Sequence, residues 1–238
     1  MKRILLGTAA LALSASVVSA EVVRMGTEGA YPPYNFINDA GHVDGFDIAV
    51  GNELCKRAAL TCEWATNEWD SIIPNLVSGN YDTIMAGMSI TAERDAVIDF
   101  TQNYFPPDPS VFVGLSDNID LPHAVIAAQT GTIQAAHVAE TGATLVEFAT
   151  PDETVAAVRN GEVDAVLADK AFLAPIVDED SELMMIGPDV FLGEGMGVGV
   201  RESDTELKEK LNAAIQSMKD DGSLNELIEK WLPGAATF

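Results

Sequence analysis

Apolar and polar positions follow two rhythms along this chain. Runs that are apolar on both faces, or that alternate with a period of two, fall at residues 22–27, 62–65, 83–88, 111–114, 123–128, 145–148, 165–168 and 197–200. They predict strands. Runs with apolar residues three and four apart fall at 46–59, 69–77, 133–140, 153–159, 204–219 and 224–231. They predict helices. Alternation of the two kinds predicts an α/β fold of mostly parallel sheets with helices on both faces.

One helix–strand unit occurs twice. Ile72-Ile-Pro-Asn-Leu-Val-Ser-Gly79-Asn-Tyr-Asp82-Thr-Ile-Met-Ala-Gly87 matches Thr154-Val-Ala-Ala-Val-Arg-Asn-Gly161-Glu-Val-Asp164-Ala-Val-Leu-Ala-Asp169 in outline. Each is an apolar helix, a Gly suited to the left-handed residue that ends a helix, two residues, an Asp and a buried strand. Any αβ unit shares much of this. Here, however, the strands run into chemically useful residues at matched offsets, Gly87-Met88-Ser89 in one and Asp169 in the other. Ligands of open α/β sheets sit outside the carboxyl ends of strands, so two facing units would put both ends on one cleft.

The N-terminus reads differently. Lys2 and Arg3 precede an apolar, acid-free stretch over 4–18, and Val18-Ser19-Ala20 offers the small residues a signal peptidase accepts. Residues 1–20 therefore read as a cleaved signal peptide. The stretch is short for a membrane anchor, and no Cys follows it to carry lipid. The product is expected in the periplasm.

Composition narrows the partners. Of 238 residues, 13 are Lys or Arg against 37 Asp or Glu, a formal net charge of −24, and 47% are hydrophobic. The length allows one or two domains with a real core. So strong a negative charge disfavours nucleic acid and anionic lipid and favours a monomer. The two cysteines, Cys55 and Cys62, lie where disulfides persist in an exported protein. A metal site needs more ligands than two thiols. A catalytic thiol needs a His partner, and His42, His123 and His137 are widely spaced. A structural disulfide is the favoured reading.

Several residues could carry chemistry, each beside a plainer role. Arg94 is one of only six arginines; it could clamp a carboxylate with two hydrogen bonds or pair with a surface acid. Asp169, after an apolar strand, could take an ammonium group or cap a helix starting at Lys170. Tyr31, in Tyr31-Pro-Pro-Tyr34, and Trp69 could offer flat rings or simply be core. Glu28 ends the first strand, and Gly131-Thr132 opens a helix whose N–H groups suit an anion. No zinc, phosphate-loop, dinucleotide or Ser-His-Asp pattern occurs, so no metal, cofactor or catalytic residue is assigned.

The ordered set of Gly26-Thr-Glu-Gly-Ala-Tyr-Pro-Pro-Tyr34, Gly45-Phe-Asp47, Cys55 and Cys62, Trp69-Asp70, Met85-Ala-Gly-Met-Ser-Ile-Thr-Ala-Glu-Arg94, Gly131-Thr132, Gly161, Asp164, Asp169 and Asp220-Asp-Gly-Ser223 resembles the periplasmic solute-binding proteins of polar amino-acid ABC transporters. The likeness spans the whole mature chain. It implies a two-lobe fold (type II), each lobe a mostly parallel sheet flanked by helices, joined by two hinge strands. Lobe 1 would comprise 21–109 and 198–238, and lobe 2 110–197. The crossings would lie near 106–114, at the breaker Pro106-Pro-Asp-Pro109, and near 195–200.

The resemblance also implies roles. Arg94 would hold a ligand α-carboxylate, helped by amides near Ser89 and Thr132. Asp169 would hold the α-ammonium, with the Gly87 carbonyl and Ser89 hydroxyl. Tyr31 and Trp69 would sandwich the side chain, and Glu28 would reach its far end. Ala86, Met88 and Gln129 would complete the wall. Within the family the sequence is most similar to arginine and lysine/arginine/ornithine binders, so the ligand is expected to be a basic L-amino acid, passed to an inner-membrane ABC permease. Two aromatic faces and an acid suit a guanidinium or ammonium. Ile133 stands where related proteins often have Thr, and an opine or glutamine binder is the neighbouring alternative. The fold also resembles that of a periplasmic dehydratase, an enzyme that would use Glu28 or Asp169 as an acid, and a sensory subunit would look the same in sequence.

Overall fold

The computed structural model describes residues 22–238; the predicted signal peptide lies outside them. In chain order the elements are β1 (Val22–Thr27), β2 (Ala30–Tyr31), β3 (Asn35–Ile37), β4 (Val43–Asp44), α1 (Phe46–Arg57), β5 (Thr61–Thr66), α2 (Ile72–Val77) after a 3-10 turn at Trp69–Ser71, and β6 (Thr83–Ile84). There follow α3 (Ala92–Asp95), β7 (Asp99–Phe105), β8 (Pro109–Gly114), β9 (Val125–Gln129), α4 (Ile133–Ala139), β10 (Thr144–Phe148), α5 (Pro151–Arg159) and β11 (Ala165–Asp169). The chain ends with α6 (Lys170–Glu179), β12 (Met184–Phe191), β13 (Met196–Val200), α7 (Thr205–Asp220) and α8 (Ser223–Trp231).

Two five-stranded sheets result, ordered β5-β1-β6-β13-β7 and β10-β9-β11-β8-β12, with β2–β4 forming a small sheet of their own. In each large sheet four strands run one way and one runs against them. The reversed strands are β13 and β8. Each arrives from the other sheet, because β7 leads through Pro106 into β8 and β12 leads into β13. Apolar clusters cover both faces of both sheets, and one cluster runs continuously from Val23 and Leu54 to Val111, Val166 and Phe172. Burial on both faces explains the unbroken apolar runs in the sequence.

The repeated Gly-x-x-Asp has a structural task. Gly79 and Gly161 end α2 and α5 with φ of +80° and +69°. Asp82 then accepts the Arg24 backbone N–H at 3.0 Å and Asp164 that of Val125 at 2.7 Å. Each carboxylate thus clamps the opening of the neighbouring central strand, β1 or β9. Cys55 of α1 and Cys62 of β5 form the expected disulfide, with Cα atoms 6.1 Å apart.

The structure departs from the periodicity in places. The strand predicted at 83–88 stops at Ile84, because Gly87 turns with φ +61° and gives its N–H to Asp47 instead of to a ladder. β7 and β12 have no clean rhythm: β7 places Thr101, Gln102 and Asn103 among its apolar residues, and β12 is interrupted around Gly187-Pro188, where its register shifts.

The two crossings touch. Gly195 has φ +89°, and a Cβ there would lie 2.4 Å from the Phe105 carbonyl oxygen and 3.1 Å from the Pro106 carbonyl carbon. Both the conformation and the contact exclude a side chain. Gly195→Ala is expected to lower the unfolding free energy by more than about 1 kcal/mol, measured in urea. An unchanged midpoint would show that the crossings separate freely.

Candidate functional site

Between the sheets lies a narrow cleft. Its walls include Glu28, Tyr31, Trp69, Ala86, Gly87, Ser89 and Arg94 from the first sheet's side, and Gln129, Thr132 and Asp169 from the second. Met88 lies off this wall. Its side chain is fully buried in the cluster with Trp69, Ile72 and Ile98, because adjacent residues at this turn point opposite ways.

Arg94 is placed by α3, a short turn capped by Thr91, whose hydroxyl accepts the Arg94 N–H at 3.2 Å. Its guanidinium donates to two carbonyls, Ser89 at 2.9 Å and Gly131 at 3.2 Å, and lies over the Trp69 ring at 5.3 Å. Among the described residues it forms no salt bridge, so the surface ion pair is not its role. Burial lowers its pKa to about 10, partly offset by the Asp169 and Glu93 charges.

Asp169 sits at the N-cap position of α6, yet its side chain makes no capping hydrogen bond. It turns into the cleft, where Oδ2 accepts from the Tyr31 hydroxyl at 2.8 Å and Oδ1 from Gln134 Nε2 at 3.1 Å. Burial raises its pKa to about 6; Tyr31 and Arg94 pull the other way. Tyr31 stacks on Phe172 at 4.6 Å and Tyr34 at 5.6 Å, so its hydroxyl makes the polar contact to the second sheet. Thr132 caps α4 by accepting the Ala135 N–H at 3.1 Å. Glu28 accepts a 2.6 Å hydrogen bond from Gln129, another contact between the two sheets' sides.

Gln134, Ser110, Thr154 and Leu167 also help form the site. Gln134 joins Asp169 to the Ser110 hydroxyl at 3.0 Å. Only Gln134 left a trace in the sequence, as a polar residue in the first turn after Gly131-Thr132. Its partner Ser110 lies on a strand of the first crossing and gave none.

A half-buried cation on one wall faces a buried carboxylate on the other. Each loses solvation without gaining an ion partner among the described residues, and each pKa moves toward the neutral form. A small molecule carrying one charge of each sign would supply both missing partners. Residues 23–234 match the bacterial extracellular solute-binding proteins, family 3.

The chain belongs to this family. Among solved structures, a periplasmic His/Glu/Gln/Arg/opine family-binding protein from Silicibacter pomeroyi, in complex with lysine, is 68% identical with a TM-score of 0.89, covering 91% of this chain and 100% of that one. The putative ABC transporter arginine-binding protein 2 of Escherichia coli K12 is 31% identical, covering 97% of this chain and 99% of its own. The histidine-binding periplasmic protein of the same strain is 32% identical, covering 88% and 86%. These relatives are binding proteins, and no helix among the family member's described residues is long and apolar enough to cross a membrane.

The family member holds its cleft backbone through Asp47. This fully buried carboxylate accepts from Asn35 Nδ2 at 2.9 Å, the Gly87 N–H at 2.8 Å and the Tyr104 hydroxyl at 2.7 Å. Asp47→Ala leaves three donors unpaired, two of them fully buried, and at about 1–3 kcal/mol for each buried one it is expected to cost at least about 2 kcal/mol in chemical unfolding. Asp47→Asn keeps one oxygen for Asn35 and Gly87 while the Tyr104 hydroxyl reverses, so its loss is expected to be smaller. Equal losses in the two variants would contradict this account of the network.

Proposed function

We propose that the protein captures a basic L-amino acid in the periplasm and delivers it, as a monomer, to an inner-membrane ABC permease. The observation that carries this reading is the pair of unlike charges, Arg94 and Asp169, facing one cleft from two sheets without ion partners among the described residues. Arg94 holds the ligand's α-carboxylate, with the amides near Ser89 and Thr132. Asp169 holds the α-ammonium, with the Gly87 carbonyl and the Ser89 hydroxyl. Trp69 and Tyr31 bound the side chain, Ala86, Met88 and Gln129 shape the wall directly or from behind, and Glu28 meets the basic end. The relatives named for arginine, histidine and a lysine complex support the ligand class.

The geometry supports capture by closure. The lobes are 21–109 with 198–238, and 110–197; they open and close about the crossings near 106–114 and 195–200. A zwitterion gripped from both sides favours the closed form by its differential affinity. Residues 1–20 serve as the export signal.

The test is thermal unfolding of ligand-stripped protein against the twenty amino acids, ornithine, citrulline and octopine. At a thousandfold excess over Kd, linkage contributes about 4 kcal/mol, which raises the midpoint by roughly 10 °C. L-arginine, L-lysine or L-ornithine is expected to give the large shift and L-glutamate and L-leucine none. A shift with glutamine or octopine alone would keep capture and overturn the basic side chain. Arg94→Ala and Asp169→Ala are each expected to weaken binding by about 2–5 kcal/mol. Near-normal binding by both would overturn the site.

A further inference from the structure

Glu28 stands between two hollows. On its inner side is the cleft with Arg94 and Asp169. On its outer side is a second hollow, lined by Thr66, Asn67, Glu68, Asp70 and Thr150, with Trp69 and Glu28 common to both. Among the described residues the one hydrogen-bond donor to its side chain is the Gln129 amide, which is itself anchored on the Ala149 carbonyl at 3.1 Å. Among the described residues no salt bridge reaches Glu28. The charges around it are Asp152 at the start of α5, Glu68 and Asp70 outside, and Arg94 and Asp169 across the cleft. Acids outnumber cations, and the α5 N-terminus already has Asp152 and Glu153 in its first turn.

We propose that Glu28 is a proton-exchanging specificity residue: ionised, it takes an ammonium or guanidinium at the end of the ligand's side chain; protonated, it takes an uncharged carboxamide. The preference for basic over amide side chains therefore rises with pH. This rests on the basic-ligand reading above. Burial, with a contribution from Asp152, raises the Glu28 pKa to about 7, so in the free protein near neutral pH the two forms coexist. A cationic side chain binds the ionised form and lowers the pKa, so binding expels a proton. Affinity for the cation thus climbs as pH rises toward 8 and then levels. Asp169 titrates nearby, but it serves the α-ammonium that basic and amide ligands share, so it cancels from their ratio.

Calorimetric titration with L-arginine and L-glutamine at pH 6, 7 and 8 tests this. In the wild type arginine affinity is expected to rise about tenfold across that range and glutamine affinity to fall about tenfold, so that their ratio rises about a hundredfold; in Glu28→Gln the ratio stays flat. A constant wild-type ratio, or an equal slope in the variant, would overturn the proposal. Where glutamine binds too weakly, the proton count of arginine binding at pH 7, from two buffers of different ionisation enthalpy, replaces it. The wild type is expected to release about half a proton more than Glu28→Gln.

If the variant binds neither ligand, ligand-free stability decides. A raised carboxyl pKa costs stability as pH rises from the unfolded value through the folded one, so the wild type should lose stability relative to Glu28→Gln between pH 5 and 8. A constant difference would overturn the proposal. Arginine that binds with pH-independent affinity sinks the role of Glu28 alone; arginine that binds at no pH sinks the basic-ligand reading beneath it.

Discussion

Two unlike charges, one half-buried and one buried, on opposite walls of one cleft and without ion partners among the described residues, are the constraint on which the rest of this structure turns. Desolvation pushes Arg94 and Asp169 each toward its neutral form. Their protein partners are weak substitutes: two carbonyls for the guanidinium, a phenol and an amide for the carboxylate. Buried charges paired only in this way are costly, and a ligand that completes both recovers part of that cost.

The fold supplies the placement. Parallel strands deliver their carboxyl ends to a common side, and the reversed strands β8 and β13 bring each sheet's chain into the other. Gly195 against Phe105 and Pro106 holds the two crossings together. The second crossing also steadies the cleft edge, since the Ile90 N–H donates to the Gly195 carbonyl at 2.8 Å and the Gly197 N–H to Met88 at 3.2 Å. Asp47 fixes Gly87 from behind. The positions around Ser89 are thus tied to the core and to a crossing together.

Much of this was legible in the sequence where one local rule decided it. Apolar runs marked the central strands because both faces are buried, and Gly79 and Gly161 marked helix ends because only a left-handed residue fits there. β7 and β12 escaped because polar residues and a register shift blur their rhythm. The site was legible in part. Arg94 could equally have been a surface ion pair, and only its carbonyl partners separate the readings. Asp169 does occupy a cap position, and only its side-chain direction shows that it does not cap. The task of Met88 depends on which way a turn points, and Ser110 is recruited by Gln134 across the chain; neither has a signal at short range.

The most direct measurement compares L-lysine with its two truncated forms by calorimetry: cadaverine, which lacks the carboxylate, and 6-aminohexanoate, which lacks the α-ammonium. Both keep the basic end. If Arg94 and Asp169 grip the zwitterion from the two lobes, each truncation should weaken binding by at least about 30-fold, the lower bound of a lost buried charge partner. Binding of either compound within threefold of lysine would contradict the account.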